Sequence, residues 1–326
     1  MLNECSQEGC TVSTTGVCLL NNEVSQCPYH SGPEADASSD EELLPEPKEN
    51  PSFTSSTTLA EEMLSLIMGD RYCTMVGIVG APDSGKTAAL VSLYLKLSHG
   101  KLDGFRYADS RSLMALDEIS RGARRWAAAP PEQMTAHTEL KDDRAAGFLH
   151  LRIRSQEDGW PIDFLLPDLP GEWSDAMVDE SRHERLAFLQ RADVIWLMVD
   201  GERLATPATR QLSIHRAQLY LQRLKEFFPN LPRIILVVTR ADKGTISEKT
   251  VDILLSDAQA LGLDVTIQSI ASFASIGNPV SPGTGLSELV QKSIGSEKPP
   301  YRLWPDADPP SEGVRAIDMS IRGIDI

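Results

Sequence analysis

No apolar run in this 326-residue chain approaches the roughly 20 residues that cross a bilayer, and no basic-then-apolar leader opens it. A soluble, cytoplasmic protein is therefore expected. Positive charge is scarce too: 31 Lys and Arg face 47 Asp and Glu, the formal net charge is −16, and residues 1–47 hold no Lys or Arg. That balance disfavours nucleic acid and anionic membrane surfaces as partners, since both are bound by neutralising phosphates. No internal repeat is present, which removes solenoids and propellers.

Cysteine is nearly absent beyond residue 27, where only Cys73 remains, while Cys5, Cys10, Cys18 and Cys27 crowd the start of the chain. In a reducing compartment such a cluster more often holds metal than disulfides. Four thiolates around Zn²⁺ are expected, with His30 as a substitute ligand, against thiols that hold nothing. Residues 1–31 have too few large apolar side chains to fold unaided, so this Cys-rich zinc module would depend on its ion. Residues 32–56 are rich in Pro, Ser, Asp and Glu and read as an acidic, disordered linker. The folded domain is placed at 57–296, and a Pro-rich tail at 297–326.

Inside the domain, Thr58-Leu-Ala-Glu61 has the form of a capping box and predicts a short helix ending at Gly69. Apolar strands are expected at 75–79, 194–199, 233–238 and 264–270, with helices at 179–191, 207–228, 247–261 and 285–294. A short turn at 156–159 makes 148–154 and 162–167 an antiparallel hairpin. The alternation specifies an α/β fold: a mainly parallel six-stranded sheet with one antiparallel edge strand and helices on both faces. A hydrophobic content of 41% suffices for one large core.

The strand at 75–79 runs into Gly80-Ala-Pro-Asp-Ser-Gly-Lys-Thr87 and then a helical period. Strand, glycine loop and helix in that order make a phosphate-binding loop. Main-chain N–H groups of Gly80, Asp83, Ser84, Gly85 and Ala88 would converge on phosphate oxygens, where glycine permits close approach. Lys86 would meet the β and γ phosphates, and the Thr87 hydroxyl would ligate Mg²⁺. Asp83 is a candidate oxygen ligand for a monovalent cation, or simply an Asx turn.

Ligands of open parallel sheets gather at the carboxyl ends of strands. There the chain carries Asp168-Leu-Pro-Gly171, with Asp168 a second Mg²⁺ ligand and the Gly171 N–H placed to sense a γ-phosphate. It also carries Thr239-Arg-Ala-Asp242, the form of a guanine-specificity motif. A carboxylate at Asp242 can accept from both N–H groups of the guanine edge, a pair adenine lacks. Arg240 would cover the base, and Ser272 would offer a backbone N–H to its oxygen. Thr138, or Thr135, is expected to complete the Mg²⁺ shell. Glu172 occupies the place of a water-orienting glutamine, where a carboxylate acts as base or repels the γ-phosphate.

Together these motifs resemble the translation-factor-related P-loop GTPases. Asp168-Leu-Pro-Gly-Glu172, Leu186-Ala-Phe-Leu-Gln-Arg-Ala-Asp193 and Leu197-Met-Val-Asp-Gly201 look like the bacterial double-GTPase families. The resemblance covers about Arg71 to Ile294, and implies GTP/GDP and Mg²⁺ as ligands. It also implies a setting in multi-gene conflict or phage-defence systems, whose members can carry Cys-rich N-terminal modules. Thr239 and Arg240 depart from the usual Asn and Lys, and Pro167 and Pro170 stiffen the switch loop. The expected function is a slow GTPase switch that signals to a protein effector. The alternative is a nucleotide-locked scaffold that recruits partners through its cysteines.

Overall fold

The computed structural model describes residues 8–15, 17–18, 27, 29, 57–121, 146–275 and 277–294. The chain divides into two compact units, Met1–Ser52 and Phe53–Ile326. In the first, a single helical turn spans Val12–Thr15.

The second unit is built on a seven-stranded sheet, one strand more than expected. In chain order the strands are β1 (Cys73–Val79), β2 (Phe105–Asp109), β3 (Phe148–Ser155), β4 (Pro161–Pro167), β5 (Val194–Asp200), β6 (Ile234–Thr239) and β7 (Val265–Ser269). Their spatial order is β2-β3-β4-β1-β5-β6-β7. β3 is antiparallel to both β2 and β4, and the remaining pairs are parallel. The reversed strand therefore lies one place in from the edge, because β2 continues the sheet beyond it. β2 shows no apolar alternation, being buried only at Phe105, so its sequence carries no strand signal.

β1, β4, β5 and β6 are buried along almost their whole length, as strands covered on both faces must be. Alternate side chains feed two separate cores. Ile195, Leu197 and Val199 of β5 face one, and Val194, Trp196 and Met198 the other. The first core takes in α4 (Gly171–Asp179) and α6 (Pro207–Phe227); the second takes in α2 (Lys86–Ser98), α3 (Leu113–Ile119) and α8 (Leu286–Ser293). Trp196 Nε1 donates to Ser293 Oγ at 2.8 Å, pinning α8 to the sheet.

Two local expectations are corrected. Helix α1 spans Glu61–Asp70 with Ala60 at its N-cap and no side-chain cap, so Thr58 does not cap it. Leu59 instead exchanges both backbone hydrogen bonds with Phe148 of β3, at 2.7 and 3.0 Å. In place of the helix expected at 179–191 there is a 3₁₀ helix over Glu184–Arg191, and the α-helix before it, α4, ends at Asp179. Its buried residues are Leu186, Phe188 and Leu189, and the three-residue step from Leu186 to Leu189 matches the 3₁₀ period. α5 (Gly201–Ala205) and α7 (Glu248–Ala260) complete the unit, each N-capped by a side chain, Asp200 and Ser247 respectively.

Candidate nucleotide site

β1 ends at Val79, the loop Gly80–Gly85 turns, and α2 begins at Lys86. Gly85 stands at φ +93°, a left-handed conformation that lets glycine start the helix without a Cβ penalty. The loop's carbonyls are held from behind. Lys86 Nζ donates to Gly80 O at 3.0 Å and Ala81 O at 2.8 Å. Arg240 donates to Asp83 O at 3.1 Å, and Thr239 Oγ1 to Ser84 O at 2.9 Å.

Lys86 is almost fully buried, and burial lowers its amine to about 8, outweighing the pull of Asp168, Glu172, Asp175 and Asp83 in the other direction. Thr87 Oγ1 donates to Asp168 Oδ1 at 3.1 Å. The two oxygens expected around Mg²⁺ are thus adjacent, one on α2 and one just past β4, and this donor pair fits a hard cation. Gly171 opens α4 pressed against the loop: a Cβ there would lie 2.4 Å from Pro82 N. Glu172 is exposed in the first turn of α4.

At the base end, Thr239 closes β6 and its hydroxyl lies between the carbonyls of Ser84 and Val199. Arg240 does not lie free to cover a base. It pairs with Asp200, which caps α5, and its φ of +53° turns it back toward the phosphate loop. The Asp242 side chain is 1% exposed, and neither oxygen has a hydrogen bond among the described residues; Lys243 Nζ is 3.8 Å away. Ser272 is buried, and its carbonyl accepts from Ser92 Oγ at 2.7 Å.

Two residues were not anticipated from the motifs. Ser174 Oγ accepts the Gly80 N–H at 3.2 Å, so that amide, expected on a phosphate, is turned to α4 instead, and the Asn278 amide donates to Asp242 O at 3.0 Å. Neither belongs to a motif; both became visible only when the chain brought α4 and the loop before α8 to the site. Thr138 and Thr135 lie outside the described residues, as do Cys5 and His30. Cys10, Cys18 and Cys27 form no disulfide, and the described residues contain no cluster of three or more His, Cys, Asp or Glu that could hold a metal.

The Double-GTPase 2 family model matches residues 74–294, from β1 to the end of α8. The chain belongs to the Double-GTPase 2 family. No curated protein matches it. Among solved structures it resembles the signal recognition particle receptor complex SRb-GTP/SRX of Chaetomium thermophilum, at 12% identity and a TM-score of 0.39, over 64% of this chain and 94% of that one. It also resembles nucleolar GTP-binding protein 1 of Plasmodium falciparum, at 11% identity and TM-score 0.38, covering 68% and 84%. A bacterial selenocysteine-specific elongation factor matches at 15% identity and TM-score 0.34, over 69% of this chain but 30% of the factor. In this family member, the Gly80–Thr87 loop, Asp168 and Thr239–Asp242 lie at the carboxyl ends of β1, β4 and β6. No helix among the described residues is long and apolar enough to cross a membrane.

Phosphate bound at Lys86 would select its charged form, so above pH 8 the site would take up a proton on binding. GDP affinity without magnesium should be flat below about pH 7.5 and about tenfold weaker near pH 9, when the bound amine returns to its ordinary range of about 10.4. Titration calorimetry in buffers of different ionisation heat would register the proton uptake; pH-independent affinity to about pH 9.5 would refute this role for Lys86.

Proposed function

We propose that this Double-GTPase 2 protein is a guanine-nucleotide switch that hydrolyses GTP slowly and signals to a protein effector, in the conflict or defence setting its family resemblance implies. The Asp242 carboxylate carries the reading. A charged group withdrawn from water without hydrogen bonds is costly, and the guanine edge supplies two aligned donors that would relieve that cost. The base would have to displace what now covers the carboxylate. Thr239 takes the part of an asparagine by tying β6 to the phosphate loop, and Arg240 joins the two ends of the site by gripping Asp83. Ser272 is proposed to face the guanine oxygen through its backbone, and Asn278 to hold the Asp242 main chain.

Loop amides and Lys86 would bind the phosphates, Thr87 and Asp168 would hold Mg²⁺ with Thr138 completing its shell, and Asp83 would offer an oxygen to a monovalent cation. Magnesium supplies charge neutralisation at the phosphate oxygens. Gly171 would present its N–H to a γ-phosphate. Glu172 places a negative charge near that phosphate, which favours slow turnover. The Cys-rich segment 1–31 is proposed to bind zinc and the acidic 32–56 to link it to the GTPase domain.

A second reading, a nucleotide-locked scaffold, is favoured by one observation. α4 is clamped: Arg216 bridges Asp175 and Asp179 at 2.7 and 2.6 Å, and Tyr220 bonds Asp175. A helix so tied resists the motion a switch requires.

Asp242→Asn should weaken GDP binding at least about a hundredfold and restore affinity for the xanthine nucleotide, whose carbonyl accepts from the new amide. Equal affinity of the unmodified protein for GTP and ATP would remove the guanine assignment. Single-turnover hydrolysis that is measurable, and lost in Lys86→Ala, separates the switch from the scaffold; no hydrolysis in either favours the scaffold. Metal analysis of the purified chain should give close to one zinc per molecule, and a content far below that opposes the zinc module.

A further inference from the structure

A cavity of about 560 Å³ opens between the phosphate loop, α4, the end of β5 and α6. It shares the loop wall Ala81–Ser84 with the nucleotide site, but Lys86, Thr87, Asp168 and Asp242 do not line it. The loop thus has two functional faces, one toward the phosphates and one toward this cavity. Its size falls in the range of specific ligand pockets.

The floor is apolar, made by Met198, Val199, Ala217 and Tyr220, all buried, with Pro82 in the loop wall. Leu212, at the rim, is 72% exposed. Four aspartates and two arginines line it, and a third arginine, Arg240, pairs with Asp200 from outside the lining. Arg216 pairs with Asp175 and Asp179, and Arg203 lies 3.5 Å from Asp200. Asp179 keeps half its side chain in solvent. Asp83, lifted out of the loop at φ +58°, makes no side-chain hydrogen bond or ion pair among the described residues. With three of its four aspartates already paired to arginines, the cavity keeps one carboxylate, Asp83, unpaired among the described residues above an apolar floor.

We infer that this cavity receives a guanidinium on an apolar stem, an arginine side chain presented by a partner protein. A guanidinium is flat and weakly hydrated, and its fork pairs with carboxylates, while its methylenes cover apolar surface. The chain's net charge of −16 adds long-range attraction for a basic partner. The inference rests on the proposed signalling to a partner and gives that partner a place and a chemistry. Its consequence for the switch is direct. The guest would touch both the loop and α4, one to two turns from Gly171, and would favour the docked position of α4 over any in which α4 moves away.

Benzamidine, a planar cation on an apolar ring, is the probe, titrated into the GDP-loaded full chain beside benzoate. A fragment of this size should bind with a Kd of about 1–10 mM, and at least about tenfold more tightly than benzoate. Ser213→Trp at the rim, and separately Leu212→Arg, should each weaken benzamidine about tenfold while leaving GDP affinity within about twofold. Undetectable benzamidine binding, equal binding of the two probes, or binding indifferent to both substitutions overturns the inference. Each of those results beside intact GDP binding leaves the switch reading standing; loss of GDP binding in the unmodified chain removes the switch itself.

Discussion

Every function of this domain depends on which way a handful of peptide planes face. A loop that is to grip an anion must turn its N–H groups outward, so its carbonyls must find donors on the other side. Gly80 and Ala81 find Lys86, Asp83 finds Arg240, and Ser84 finds Thr239. Two of the four bonds come from Lys86, which is also proposed to meet the phosphates, so a change at Lys86 would disturb the loop as well as that contact.

This explains why Thr239 and Arg240 can stand where Asn and Lys are usual. What the loop requires at the end of β6 is a donor within reach of Ser84 O, and a hydroxyl at 2.9 Å provides it. What it requires at the next position is a long cation, and Arg240 reaches both the loop and the Asp200 carboxylate at the end of β5. One guanidinium thus joins the ends of β5 and β6 to the glycine loop.

Strand ends were the most legible part of the chain. Apolar runs such as Ile234–Thr239 stop abruptly at polar residues, and in a doubly covered parallel sheet that stop coincides with the ligand edge. Asp168, Thr239 and Asp242 could be placed on that ground alone. Elements with weaker apolar pattern were not. β2 buries one residue in five positions, and α4 was hidden because Pro170-Gly171 reads as a loop although Pro170 merely enters the helix. Ser174 and Asn278 reach the site through tertiary packing, which no local spacing encodes. Arg240 was legible in identity but not in direction, since its partner Asp200 is forty residues away.

The Leu59 to Phe148 bridge has a mechanical side. It fastens the point where the chain enters the domain to the first residue of β3, and Gly147, next to it, accepts the Asp168 N–H at 3.1 Å. Tension on the N-terminal segment would load these bonds in shear and arrive one peptide from the carboxylate beside Thr87. Whatever tugs on that end of the domain tugs on the corner where Asp168 meets Thr87.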